Sequence, residues 1–407
     1  MFPEPNSALP LPRRPSLERY KKIAKELVTA CRSGRPDAMH DWAQRWVDGI
    51  VASAELSVAP GMPVDVAEWV AGLDGFARRT LSNRAPRGTP CSLTGAQFVI
   101  ARSHGFASWP AFARHLDALV HGDSSTSRFE AAADAIVAGD LATVEQLLRD
   151  DPALIGARSS REHRATLLHY VSANGVEGYR QKTPPNIVAV TEALLAAGAE
   201  VDATARVYGA QCTTLELAAT SIHPVRAGVL EALLRTLIDD GAAIDGHGDR
   251  SIVAACLSNN RLAAAQFLAA SGARVGFVEA AGLGRVDVLH AALRGTGEVM
   301  PAPATNQRGE ALLHACRYGH TTVAELLVGH GADLRTQTRD GQTALHCAVM
   351  GAHVDTVRAL LRLDAPLDVE NAYGGTPLGQ ARWSAVHGGD PDRYAAIIDA
   401  LARAVAR

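Results

Sequence analysis

The second two thirds of the chain repeats itself at an interval of about 33 residues. "GEALLHACRYGHTTVAELLVGHGADLRTQTRD", residues 309–340, is followed by "GQTALHCAVMGAHVDTVRALLRLDAPLDVENAY", residues 341–373, and then by "GGTPLGQA". In the first of these units Val323, Leu326 and Leu327 recur at helical spacing, and Gly331 follows the last turn, where a left-handed residue is favoured. One pair of short helices cannot cover its own apolar face, so such units must stack into a solenoid.

The units share an order of parts: a turn, a short helix as in "TALHCA" at residues 343–348, a Gly-rich turn, and a longer helix that ends L-L. This order resembles the ankyrin repeat, in which the short helix begins T-P-L-H-x-A and G-A-D follows the longer helix. Weaker copies extend back to Phe129 and give about eight units, the last ending in a helix near residues 393–404. The resemblance implies an all-α ankyrin-repeat solenoid. It also places His169, His314 and His346 at the L-H position, where the family uses the imidazole to tie neighbouring turns together.

The region before the repeats predicts a small helical domain. It carries four of the five tryptophans, Trp42, Trp46, Trp69 and Trp109, and the spacing of the first two indicates a core stripe. Ser16 and Ser108 are suited to cap the helices that follow them. The segment "SLTGAQFVIARSHGFASWPAFARHLDAL" resembles a helical module that precedes ankyrin repeats in many bacterial proteins. The predicted domains are therefore a module at 1–120, a linker at 121–128 and the repeats at 129–407.

Composition excludes several classes of function. The net charge is −3 with acids and bases interspersed, so the sequence predicts no nucleic-acid partner. It has neither a signal-peptide core nor an apolar run of roughly 18 residues, and we expect no membrane association. The six cysteines are dispersed without a short paired spacing, which argues against zinc and disulfides and favours a reducing cytoplasm. No P-loop, H-E-x-x-H or G-x-S-x-G motif occurs, so we expect no cofactor. Glu162, His163 and His169 leave metal ligation open, but their spacing is unspecific and we expect no metal.

Two neighbouring units contain extra residues in the turn between their helices. In the first unit Thr166 to His169 match T-P-L-H and Gly175 matches the turn, yet the second helix restarts only at Asn186, so residues 176–186 are inserted. In the next unit residues 223–229 are extra at the same place. Because insertions in repeats map to one face of a solenoid, we expect the two loops to lie side by side. That would bring Glu177, Tyr179, Arg180, Gln181 and Lys182 near His223 and Arg226.

Residues 161–186, "REHRATLLHYVSANGVEGYRQKTPPN", hold most of the ionisable candidates. An imidazole exchanges a proton near neutral pH, a carboxylate assists it, and a guanidinium holds a substrate oxygen. The catalytic candidates are His163, Glu162, Glu177 and His223. The candidate substrate-binding residues are Arg161, Arg164, His169, Tyr170, Tyr179, Arg180, Gln181, Lys182 and Arg226. Residues 161–164 lie at the finger end of the repeat, on the order of 13 Å from the insertion, so a single compact site requires a loop that folds back over the concave face.

Two functions fit this sequence, and a plain solvated surface is the remaining interpretation of the charged loops. The first is a small-molecule pocket on the units with insertions, performing a cofactor-independent dehydration or cyclisation, as in a few bacterial ankyrin-like proteins of natural-product pathways that share the scaffold. The alternative is a non-catalytic scaffold that holds a protein partner on its concave face, which is the usual role of ankyrin repeats. A catalyst should show a closed pocket under the two loops, whereas a scaffold should show an open groove with exposed aromatic anchors.

Overall fold

The computed structural model describes residues 3–4, 7–12, 15–53, 66–82, 90–247, 250–294 and 304–406. The chain forms two compact units, Met1–Gly248 and Asp249–Arg407. The first unit contains α1 (Leu17–Arg32), α2 (Ala38–Ser53), α3 (Val66–Leu81), α4 (Leu93–Ser103), α5 (Trp109–Val120), α6 (Ser125–Ala138), α7 (Leu141–Asp150), α8 (Ile187–Ala196), β1 (Thr204–Val207), β2 (Ala210–Thr213), α9 (Thr214–Thr220), α10 (His223–Arg226) and α11 (Leu230–Asp239). Three short 3₁₀ helices lie at Pro152–Gly156, Leu167–Ser172 and Gly178–Arg180.

The second unit is built from helix pairs. It contains α12 (Ile252–Ser258), α13 (Leu262–Ala270), α14 (Phe277–Gly282), α15 (Val286–Arg294), α16 (Thr305–Arg317), α17 (Thr321–Gly329), α18 (Ala344–Met350), α19 (Val354–Arg362), α20 (Pro377–Val386) and α21 (Pro391–Val405). With the three pairs of the first unit, the described residues give eight helix pairs, so the predicted all-α repeat solenoid is confirmed. The C-terminal helix near residues 393–404 is also present as α21.

One β-hairpin departs from the all-α prediction. Strands β1 and β2 pair antiparallel, with Thr204 opposite Thr213 and Val207 opposite Ala210. Tyr208 and Gly209 at the tip both have positive φ, +51° and +74°, which is what a two-residue hairpin turn of type I′ requires. Along β1 the burial alternates, with Ala205 and Val207 inward. The finger of this repeat is therefore a stiff ribbon.

The N-terminal helices follow the predicted caps. The Ser16 hydroxyl accepts a hydrogen bond from the Arg19 amide, and the Ser108 hydroxyl accepts one from the Ala111 amide. Trp42 and Trp46 are buried in the core of this region, which confirms the core interpretation. Within the predicted linker, the Ser124 side chain caps α6, which begins at Ser125. The division into a module at 1–120, a linker at 121–128 and repeats at 129–407 stays a prediction.

A disulfide between Cys31 and Cys91 contradicts the prediction of unpaired cysteines. The sequence separation of 60 residues hides this pair, because no short spacing marks it. The four cysteines of the repeats are buried and lie outside this disulfide: Cys212, Cys256, Cys316 and Cys347. The predicted cytoplasmic location rested on unpaired cysteines and stays a prediction. None of the described helices combines the length and the apolar composition needed to cross a membrane.

The repeat histidines divide into two kinds. The His346 Nδ1 accepts the Thr343 amide at 3.3 Å, so its Nε2 carries the proton and donates to the Gly375 carbonyl at 3.0 Å, which ties two neighbouring turns as expected. His314 was predicted to do the same, and that prediction is wrong. Ala352, the left-handed residue of the turn, follows His346 by six positions, whereas Gly319 follows His314 by five. His314 is therefore one position out of register, and its Nδ1 has no hydrogen-bond partner among the described residues.

Candidate functional site

Five ionisable residues of the first unit form a buried ionic cluster: Glu130, Arg161, His163, Glu177 and Arg180. Arg161 Nη1 lies 2.6 Å from Glu130 Oε1, and Arg161 Nε lies 2.9 Å from Glu177 Oε1. Arg180 Nη1 lies 2.8 Å from Glu130 Oε2. Two guanidinium groups thus face two carboxylates in a space closed to solvent, and their charges cancel.

The cluster brings together residues from segments that are distant along the chain. Glu130 lies on α6, Arg161 and His163 lie in the finger, and Glu177 and Arg180 lie in the first insertion. His163 Nε2 is only 3.3 Å from Glu177 Oε1, so the finger and the insertion meet in one place. The expected separation of about 13 Å does not hold, because the insertion turns back through its 3₁₀ helix.

Contacts to α6 hold the first insertion in this folded-back position. Arg180 Nε lies 2.7 Å from Asp134 Oδ1, and the Asn186 side chain donates to the Gly139 carbonyl at 2.8 Å. Helix α8 then restarts at Ile187, as the sequence predicted. Glu177 and Arg180 form ion pairs with residues of α6 and of the finger. Among the described residues, none of these ion-pair partners belongs to the second insertion, residues 223–229.

The cluster is electrostatically self-contained. Burial by itself would raise the pKa of Glu130, but the Arg161 and Arg180 guanidinium groups outweigh burial and lower that pKa to about 2. Burial by itself would also raise the pKa of Glu177, but Arg161 and the His163 hydrogen bond hold that pKa well below its ordinary value. Burial would lower the pKa of Arg161, yet Glu130 and Glu177 raise it well above its ordinary value. All four groups therefore stay charged at neutral pH.

His163 has no ring nitrogen free for proton transfer. Its Nδ1 accepts the Ala165 amide at 3.0 Å, so Nε2 carries the proton and faces Glu177. The Tyr170 hydroxyl also donates to Glu177 Oε1, at 3.4 Å. These bonds connect the finger to the insertion.

The remaining candidates occupy varied positions. Glu162 forms an ion pair with Arg102 of α4, and His223 begins α10, with its amide donating to the Ser221 hydroxyl. Tyr170 and Tyr179 lie beside the buried ionic cluster. The Arg164 side chain donates to the Ser159 carbonyl, and the Gln181 side chain donates to the Val176 carbonyl. Lys182 lies in the first insertion and Arg226 in the second. His169 bonds Thr166 and the Cys212 carbonyl, the same structural tie that His346 makes. Among the described residues no group of three or more His, Cys, Asp and Glu side chains has the geometry to hold a metal ion.

Sequence reasoning missed Glu130, the acid at the centre of the cluster. It stands next to Phe129 in "FEAAADAIV", on a helix whose neighbouring positions are apolar and buried. A charged residue within an apolar helical face requires a partner, and that signal could have marked Glu130 as a buried charge. The position of the partner was not readable, because it comes from a finger and an insertion far along the chain.

The finger also docks on the N-terminal helices. The Glu162 amide donates to the Gly105 carbonyl at 2.9 Å, and His115 Nδ1 lies 2.8 Å from the Ser160 hydroxyl. The Arg161 guanidinium lies over the Phe106 ring, 5.5 Å from its centroid. This loop thus joins the N-terminal helices to the first repeats.

A cavity of about 440 Å³ opens beside this loop. Its walls include Arg102, Arg161, Glu162, His163, Arg206 and Tyr208, and no residue of either insertion is among the described residues that line it. The predicted pocket beneath the two insertions is not this cavity.

Large apolar side chains are exposed on the second unit. Tyr373 in the last finger is 82% exposed, Trp383 of α20 is 62% exposed and Met350 of α18 is 43% exposed. Met350 and Trp383 occupy the same repeat position, seven residues after Thr343 and Thr376, and α18 packs against α20. Two neighbouring first helices therefore present apolar side chains at matching places.

Comparison with known proteins identifies the family. A family model of ankyrin repeats (three copies) matches residues 277–373. The Notch-regulated ankyrin repeat-containing protein of Xenopus laevis is 36% identical over 87 residues, which cover 21% of this chain and 76% of that protein. The B-cell lymphoma 3 protein homolog of Mus musculus is 27% identical over 178 residues, and the match spans only 40% of each chain. The chain belongs to the ankyrin-repeat family.

Solved ankyrin structures also resemble the chain. The human ASB11 ankyrin repeat domain is 20% identical, with a TM-score of 0.35, and the match covers 67% of this chain and 96% of that domain. The ankyrin repeat domain of Bcl-3 is 21% identical, with a TM-score of 0.31 and coverage of 67% and 97%.

Proposed function

We propose that the protein is a non-catalytic scaffold that binds a protein partner through the fingers and first helices of its second unit. The observation that carries this proposal is the exposure of Tyr373 and Trp383. Aromatic side chains of this size dominate the energetics of protein interfaces, and leaving two of them in water has a cost that a partner removes. Met350, at the position equivalent to Trp383, extends the same apolar row.

The anchors are held in place before any partner arrives. The Trp383 ring stacks on His387, with ring centroids 4.2 Å apart and planes 13° from parallel. The finger that carries Tyr373 is joined to the preceding finger, because the Ala372 amide donates to the Asp340 carbonyl at 2.9 Å. Ordered anchors reduce the entropy lost on association, which favours binding.

The acid/base hypothesis has less support than the scaffold. Catalysis in the insertions needs a group that can gain or lose a proton beside a substrate. The His163 ring and Glu177 Oε1 are engaged within the buried ionic cluster, and Arg180 is engaged by Glu130 and Asp134. Glu177 Oε2 is buried and has no hydrogen-bond partner among the described residues. A dehydratase or cyclase of bacterial metabolism remains a hypothesis, and a thermal-shift screen of metabolites against wild type, His163→Ala and His223→Ala tests it.

The scaffold proposal is tested with the full chain in two stages. Proteins from the source organism are first captured on the immobilised chain, and the stoichiometric binder is then purified and its Kd measured by calorimetry. The variants are Trp383→Ser and Tyr373→Ser, which alter only exposed side chains. Val405→Ser on α21 is the matched control, because Val405 is an exposed apolar residue on a second helix.

We expect each aromatic substitution to weaken the purified complex about tenfold or more, which corresponds to the cost of truncating an interface anchor. Val405→Ser should leave Kd unchanged. The proposal fails if no stoichiometric protein is captured, or if Trp383→Ser binds the purified partner as tightly as the control does.

A further inference from the structure

The cavity of about 440 Å³ in the first unit lies where four separate chain segments converge. One wall is the N-terminal segment with Glu4 and Ala8, and a second is the last turn of α4 with Arg102. The third is the finger at Arg161 to His163, and the fourth is the tip of the β-hairpin, residues 206–209. Its volume falls within the usual range for small-molecule pockets, and a few polar groups converge on it from different segments.

The polar groups of the cavity favour an anion. Three arginines and two glutamates line it, and the three arginines differ in how far their charge is already paired. Arg161 is neutralised by the buried ionic cluster, and Arg102 is paired with Glu162. The Arg206 side chain has no hydrogen-bond or ion-pair partner among the described residues. A guanidinium offers five N–H donors in a planar fork that matches a carboxylate.

The wall that carries Arg206 is rigid. The Arg206 amide donates to the His163 carbonyl at 2.7 Å, so the hairpin is fixed to the finger. The Tyr208 hydroxyl donates to Asn174 Oδ1 at 2.6 Å, which fixes the hairpin tip. Arg158 donates to the Thr204 carbonyl at 2.7 Å at the base of β1. A binding group on such a ribbon loses little freedom when a ligand arrives.

The rest of the lining fits a small apolar body. Ala8 and Val207 are buried and line the cavity together with Pro3 and Gly105. We propose that this cavity binds a small organic monocarboxylate, whose carboxylate is held by Arg206 and Arg102 and whose apolar part lies against Ala8 and Val207. A carboxylate with an apolar body matches the unpartnered Arg206 and this apolar wall better than phosphate, which has no apolar part.

Arg102 becomes available when the ligand competes with Glu162 for its guanidinium. The Glu162 carboxylate is 40% exposed, so it moves into solvent without a burial cost. Removing the Glu162 carboxylate should therefore strengthen ligand binding. This effect distinguishes the proposed site from nonspecific attraction between an anion and an arginine.

The test measures the binding of two probes, benzoate and inorganic phosphate, to the full chain by calorimetry and by NMR. Arg206→Gln removes the free cation, Glu162→Gln releases Arg102, and Arg339→Gln is the matched control, an exposed arginine in a finger of the second unit. We expect benzoate to bind at one site more tightly than phosphate. Arg206→Gln should weaken it about tenfold or more, Glu162→Gln should strengthen it, and Arg339→Gln should leave it unchanged.

Three results would overturn the assignment. The first is the absence of saturation with benzoate up to about 20 mM. The second is an equal affinity of the Arg206→Gln and Arg339→Gln variants. The third is weaker binding by Glu162→Gln than by wild type. Capture of a protein partner through Trp383 is independent of all three, so this site and the scaffold are tested separately.

Discussion

Replacing Arg161 with methionine tests how much the buried ionic cluster contributes to stability. The side chain is 2% exposed, and its guanidinium lies 2.6 Å from Glu130 and 2.9 Å from Glu177. Without it, two buried carboxylates share one cation, Arg180, at 2.8 and 3.8 Å. Removing one partner of a buried pair leaves an uncompensated charge, so we expect Arg161→Met to lower the free energy of unfolding of the first unit by about 3–5 kcal/mol.

Urea denaturation at neutral pH, followed by tryptophan fluorescence and circular dichroism, measures this loss. Arg362→Met is the control, because the Arg362–Glu325 pair is exposed and such pairs contribute about 0–1 kcal/mol. Adding Glu177→Gln to Arg161→Met removes one orphaned carboxylate and should restore part of the stability. A loss below about 1 kcal/mol for Arg161→Met, or a further loss in the double variant, would refute the reasoning.

Three further predictions concern single groups. Burial lowers the pKa of His104 to about 3, so below pH 6.5 the unfolded chain binds a proton that the folded chain does not. The free energy of unfolding should therefore fall as the pH drops from 6.5 towards 3. His104→Phe should reduce that slope by about 1.4 kcal/mol per pH unit, measured by denaturation at several pH values. His346→Ala should cost about 1–3 kcal/mol in urea melts, and His314→Ala less, because His346 joins two turns whereas the His314 Nδ1 has no hydrogen-bond partner among the described residues. Cys31→Ser should lower the stability of the first unit by about 2–4 kcal/mol, as should a dithiol reductant, and an unchanged melt would contradict a formed disulfide with Cys91.

The repeat architecture could be read from the sequence alone. The period near 33 residues, the helical spacing of Val323 and Leu327, and the caps at Ser16 and Ser108 are local signals, and each reports on a few neighbouring residues. The first insertion was also predictable, because counting from Gly175 to the helix restart at Ile187 needs only the repeat length. Local spacing failed at His314, where one residue shifts the register, and it did not mark the hairpin of β1 and β2.

What the charged residues do was decided by tertiary packing. Arg161, Glu177 and Arg180 looked like surface groups of a site, but Glu130 of α6 and the folded-back insertion bury them and pair their charges. Cys31 and Cys91, 60 residues apart, meet for the same reason. Burial and pairing of ionisable groups depend on which distant segments share a space, and no local spacing records that. The sequence therefore determined the solenoid, whereas only the fold decided which arginine, Arg206, is left without a partner beside a cavity.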